Sequence, residues 1–245
     1  MSHSHTLDVV GQLLADRPAF HVEGTAHWDV TRGTLHAVRN AVRPGDRTLE
    51  IGAGVTTVVF AAAGARHTAV SPDPSEHQLI RNYCRKIGVD DSQLEFLVGF
   101  SDDILPSHLT RERTLDVALV DGAHSFPLPI IDWHYVSRAV KVGGRLFLDD
   151  ITIPAVKPAF RHMTLDSAWR LDGIFNSQCA AFTLLREPGL DGDYLNQPFN
   201  RGYPDYSFVG MPRRVLLHAY FRTRSLRRAL GERFPELRRR YISRF

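Results

Sequence analysis

The chain of 245 residues contains only two cysteines, Cys84 and Cys179. Two thiols cannot build a disulfide framework, so a reducing, cytoplasmic setting is expected. No stretch approaches the ~18 consecutive apolar residues of a membrane-spanning helix. The opening Met1-Ser2-His3-Ser4-His5-Thr6 lacks the basic start and apolar run of a secretory signal. There is no internal repeat and no low-complexity segment, which argues against a solenoid or a long disordered linker. A strong overall charge is also missing, since the formal net charge is +3. What remains is the ordinary balance of a soluble globular protein, 43% hydrophobic and 23% charged, long enough for one sizeable α/β domain with extensions.

The small net charge hides an asymmetry. From Met211 to Phe245 there are eleven arginines against Glu232 and Glu236, a local surplus of nine positive charges. The preceding residues therefore carry a net deficit of six. A mildly acidic body bears a basic tail.

Periodicity divides the chain into three parts. Residues 1–46 read as an N-terminal helical segment. Leu7, Val10, Leu13 and Leu14, and then Leu35, Val38 and Val42, recur at helical spacing. From 47 to 186, strand-like and helix-like pieces alternate. Strands are expected at Arg47–Ile51, His67–Val70, Leu94–Val98, Leu115–Val120 and Arg145–Leu148, with a final pair at Trp169–Phe175 and Ala180–Leu185. Helices are expected at Val55–Ala63, Pro74–Ile87, Asp102–Leu109, Pro127–Val140 and Pro154–Met163. Gly143-Gly144 reads as the turn into the fifth strand. Residues 187–245 read as an aromatic loop followed by a basic helical extension. The expected fold class is α/β: a Rossmann-like, doubly wound, mostly parallel seven-stranded sheet with helices on both faces.

Ligands of such sheets bind beyond the carboxyl ends of the strands. Polar residues stand at five of those ends: Glu50, Asp73, Ser101 with Asp102, Asp121, and Asp149 with Asp150. The first end is the most specific. Leu49-Glu50-Ile51-Gly52-Ala53-Gly54-Val55-Thr56-Thr57 follows a strand and opens a helix. A dinucleotide loop would carry a third glycine at position 57, where Thr57 stands. A carboxylate two residues before the first glycine suits a cationic ligand better than a pyrophosphate.

Residues 47–185, through the Glu50-x-Gly52-x-Gly54 motif, resemble the catalytic domain of class I S-adenosylmethionine (SAM) dependent methyltransferases. The resemblance implies that Gly52 and Gly54 approach the methionine part of SAM and that Glu50 supports its ammonium. It also implies an acid at the end of the second strand for the ribose hydroxyls. That position is Ser71, with Asp73 two residues later, and the contact falls to one or the other. Ser101 or Asp102 would face the adenine.

The strongest second signal is Val120-Asp121-Gly122-Ala123-His124, with Asp149-Asp150 ending the next strand. Ends of neighbouring strands lie ~5 Å apart and can converge on one ion. This pattern resembles metal-dependent small-molecule O-methyltransferases. Carried over, Asp121, Asp149 and Asp150 would hold Mg2+, and His124 would act as general base on a substrate hydroxyl. Asp121 touching the cofactor alone, without metal, is the competing reading. The expected substrate is a small molecule such as a sugar or secondary metabolite. A homo-oligomer through the terminal extensions is expected. The basic tail leaves three partners open: the acidic body or a second subunit, an anionic membrane, or nucleic acid.

Overall fold

The computed structural model describes residues 8–21, 30–188 and 197–201, together with single positions 210, 211, 215, 219, 223 and 233. The elements run α1 (Val9–Asp16), α2 (Arg32–Ala41), β1 (Arg47–Ile51), α3 (Val55–Ala62), β2 (Arg66–Ser71), α4 (Pro74–Lys86), β3 (Leu94–Val98) and α5 (Ser101–His108). They continue β4 (Leu115–Val120), α6 (Leu128–Ala139), β5 (Val140–Leu148), α7 (Lys157–Leu165), β6 (Trp169–Phe175) and β7 (Cys179–Leu184).

The seven strands form one sheet in the order β3-β2-β1-β4-β5-β7-β6. The first five are parallel, and β7 pairs antiparallel with both β5 and β6. The central strands are buried on both faces, so β4 is a nearly unbroken apolar run, while β1 buries Thr48 and Glu50 among its apolar residues. Period-2 alternation sorts their side chains. Leu49, Ile51, Ala118, Val120, Leu146 and Leu148 enter the core under α5, α6 and α7. Val117, Leu119 and Phe147 enter the core under α1 to α4.

Local chemistry sets the helix starts. Thr31 caps α2 through its hydroxyl, and Asp73 caps α4 with Pro74 in the first turn. The order of β1, β2, β4 and β5 brings the loops after β1, β4 and β5 together, since β1 pairs directly with both β2 and β4. One difference from the sequence reading concerns β5. It begins at Val140, and the glycine pair Gly143-Gly144 lies within it, absorbed where Leu115 pairs with Val140 but Val117 pairs with Arg145. Gly143 takes φ 85, which glycine adopts without strain.

The chain divides into two compact units, Met1–Gly192 and Asp193–Phe245. Within the first, α1 and α2 share a continuous core with α3 and α4. Most of the second lies outside the described residues. So do most of the aromatic loop, nearly all of the basic tail, His3, His5 and His27-Trp28. No helix among the described residues is long and apolar enough to cross a membrane.

Candidate active site

The loop after β1 is held by a buried polar network. Glu50 is 1% exposed and alternates with Leu49 and Ile51 to face α3. Its carboxylate accepts hydrogen bonds from the Thr56 hydroxyl and, at 2.6 Å, from the Thr57 hydroxyl. His67 Nε2 lies 3.4 Å away, while His67 Nδ1 meets the Thr48 hydroxyl at 2.8 Å and its ring stacks on Phe60. Thr57 also accepts from the Gly54 amide at 2.9 Å. Burying a carboxylate is tolerable only when it is bonded in this way. Glu50 therefore fixes the shape of the loop. Thr57, which stands where a dinucleotide loop would carry its third glycine, and Thr56 beside it are its partners.

The two motif glycines have different physical reasons. Gly52 has φ 100, and a Cβ there would be driven into the carbonyl oxygen of Asp121. It lets the β1 and β4 loops touch. A Cβ on Gly54 would meet nothing within 4 Å. Open space in front of a backbone that begins a helix is a cradle for a ligand.

At the end of β2, Ser71 is buried and its hydroxyl donates to Glu76 Oε2 at 3.3 Å. Glu76 stands in the first turn of α4. Its other oxygen meets His21 Nδ1 at 2.7 Å. Asp73 is occupied otherwise: its carboxylate accepts from the Ser75 amide at 2.8 Å and the Ser75 hydroxyl at 2.6 Å. The carboxylate beside Ser71 is thus that of Glu76, a residue the sequence reading passed over.

At the ends of β4 and β5, Asp121, His124 and Asp150 offer ligand atoms that all lie within 4.8 Å of one another. His124 Nε2 is 3.9 Å from Asp121 Oδ1 and 3.4 Å from Asp150 Oδ2. Asp150 takes φ 52, a left-handed conformation that aspartate tolerates better than most residues. Asp149 is not one of the three. Its carboxyl meets the thiol of buried Cys179, which also meets the Thr34 side chain of α2. Burial, then the negative charges of Asp149, Glu50 and Asp150, push the Asp121 carboxyl well above its ordinary range. Burial, and then the Asp150 charge, raise Asp149 too, against the bond from the Asp150 amide. The cluster has more negative charge than its surroundings balance.

Ser101 opens α5, and Asp102 is exposed in its first turn. Ser101 adjoins Asp132, a fully buried acid of α6 whose oxygens have no well-aligned hydrogen-bond partner. Burial raises Asp132 to about 6. It packs against Gly122 of the β4 loop. A single acid in the apolar run Ile130-Ile131-Asp132-Trp133 was its only sequence signal.

The donor set fits the groups the fold implies. Gly54 leaves room for a ligand beside the anionic Glu50 network, suited to a sulfonium and an ammonium. Two carboxylates and an imidazole, short of positive charge, suit a divalent cation.

Residues 49–151 match a family model described as a methyltransferase domain. No curated protein matches the sequence. Solved structures share the fold, three of them as follows. A protein from Corynebacterium glutamicum aligns with TM-score 0.59 at 13% identity, over 73% of this chain and 90% of that one. Cofactor-bound Rv0187 from MTB aligns with TM-score 0.56 at 17% identity, over 73% and 90%. A methyltransferase from Geobacter sulfurreducens aligns with TM-score 0.53 at 15% identity, over 76% and 92%. Glycine loop, strand order and family match agree on one region: residues 49–151 are similar to a methyltransferase domain, set in a sheet that the solved structures share.

Proposed function

We propose that the protein moves the methyl group of SAM to a hydroxyl of a small molecule, with a divalent cation such as Mg2+ held by Asp121, His124 and Asp150. One observation carries this reading. Three ligand atoms lie within 4.8 Å of one another, two from the β4 loop that Gly52 brings against the loop after β1 and one from the end of β5. When bound, SAM supplies an electrophilic methyl group and the cation supplies the Lewis acidity that lowers the pKa of a hydroxyl.

The chain's own residues bind and orient. Gly54 leaves the cofactor cradle open, and the Glu50 network keeps its shape. Glu76 and Ser71 present an acceptor and a hydroxyl to the ribose diol, and Ser101 or Asp102 faces the adenine. The rest of the rate enhancement comes from positioning and fixed charge. This assignment exchanges roles expected from sequence: His124 becomes a ligand and Asp149 a neighbour.

A metal-free reading has its own support. With Asp150 3.4 Å from its Nε2 to orient the ring, the His124 imidazole would take the hydroxyl proton itself. Titration with Mn2+, followed by calorimetry and electron paramagnetic resonance, separates the two. One bound Mn2+ per chain, lost in Asp150→Asn, is the expected result. No binding, with activity unaffected by chelators, would leave His124 as the base and end the metal proposal.

A further inference from the structure

A cavity of about 340 Å³ lies between the N-terminal helices and the first residue of α3. That volume falls in the range of small-molecule sites. Its walls are apolar, with Leu13 and Leu14 from α1, Leu35 from α2, and Val55 immediately after Gly54. Its polar side is cationic. Arg17, at the end of α1, and Arg32, in the first turn of α2, line it, and among the described residues no acid does. This is the reverse of the carboxylate cluster at the ends of β4 and β5.

The cavity is tied to the methyl-transfer end of the fold by two short links. Val55 adjoins the open cradle at Gly54. The α2 turn that supplies Thr31, Arg32 and Leu35 to the cavity wall also carries Thr34, which meets Cys179 and, through that thiol, Asp149. One turn of a helix ~10 Å across therefore serves both places.

From this we infer that the cavity binds the body of the methyl acceptor, and that the acceptor is an amphipathic small anion. Its apolar part lies against Leu13, Leu14 and Leu35, and a carboxylate, sulfonate or phosphate group faces Arg17 and Arg32. The inference rests on the proposed methyl transfer only for the word acceptor. The binding site and its charge preference stand on the cavity itself. Apolar area supplies affinity, and the guanidinium groups select charge and orientation through charge-assisted hydrogen bonds.

The probes are a matched pair: 1-anilinonaphthalene-8-sulfonate, an aromatic anion, and N-phenyl-1-naphthylamine, its neutral counterpart. Both brighten on entering an apolar site. The folded full-length protein should bind the anion at least tenfold more tightly than the neutral probe. Arg32→Gln, at an exposed position, should weaken the anion about five- to tenfold and leave the neutral probe unchanged. Leu14→Trp, at a position 40% exposed, should fill the cavity and reduce both probes at least tenfold. Full binding of both probes by Leu14→Trp would place them elsewhere and overturn the site. Equal loss of both probes in Arg32→Gln would overturn the charge preference. SAM titration of the same variants keeps the two readings apart. Retained SAM binding with lost probe binding supports the acceptor site. Loss of SAM binding in Arg32→Gln would show that the arginine serves the cofactor and would overturn the assignment.

Discussion

The two motif glycines predict opposite phenotypes for the same substitution. In Gly52→Ala the new methyl group collides with the Asp121 carbonyl oxygen, and the backbone at φ 100 must accept a side chain. The conformational strain costs about 1–3 kcal/mol. Overpacking against a backbone atom costs about 1–3 kcal/mol more. A total of about 2–6 kcal/mol corresponds, in a domain of this size, to a Tm lower by about 5–20 °C. In Gly54→Ala the methyl group meets nothing within 4 Å and the backbone is extended. Stability should change by less than about 0.5 kcal/mol. Its methyl group instead enters the space reserved for the ligand, so SAM affinity should fall at least about tenfold, or 1.4 kcal/mol. Thermal unfolding monitored by circular dichroism, beside calorimetric titration with SAM and its demethylated product, reads both quantities. Gly54→Ala binding SAM as tightly as the wild type would refute the cradle. Wild-type stability in Gly52→Ala would refute the contact between the β1 and β4 loops.

Other consequences concern buried Asp132 and the acids near the end of β2. Asp132 is raised to about 6, so its stabilising contribution is complete below about pH 4 and lost as pH rises through 6. Asp132→Asn should therefore stabilise the protein by about 2–3 kcal/mol at pH 8 and by almost nothing at pH 4. Denaturant midpoints across that range check it, and a pH-independent difference would contradict the burial argument. Glu76→Gln should weaken SAM at least about tenfold by calorimetry while the fold persists. Asp73→Asn should keep SAM affinity and cost at most about 1 kcal/mol of helix capping. The reverse ranking would return the ribose contact to Asp73.

Much of this was legible in the sequence for a simple reason. Strands buried on both faces, such as Leu115–Val120, write themselves as apolar runs, and glycines with special backbone demands punctuate their ends. The pair Asp121 and His124 shares one loop, so local spacing could announce it. Glu76 could not be read this way. Its carboxylate reaches the end of β2 only because α4 folds back over Ser71, and Asp73, nearer in sequence, is used to cap that helix. Asp132 was hidden because α6 is apolar around much of its surface, which leaves no polar face against which a buried acid stands out. The exchange between His124 and Asp149 depended on the left-handed backbone at Asp150, which neighbouring letters do not specify.

The core shared by α1, α2, α3 and α4 bears on how this protein can be cut and recombined. Val10, Leu13, Leu35 and Val38 pack in one cluster with Val58, Val59 and Phe60. A fragment starting at Arg47 would keep every motif residue of the methyltransferase domain and yet expose that face of α3 to water. The leading helices are therefore part of the minimal folding unit. A chimera that swaps them for those of a relative exchanges half of a hydrophobic core, and its success turns on volume matching across that seam rather than on preserving the glycine motif.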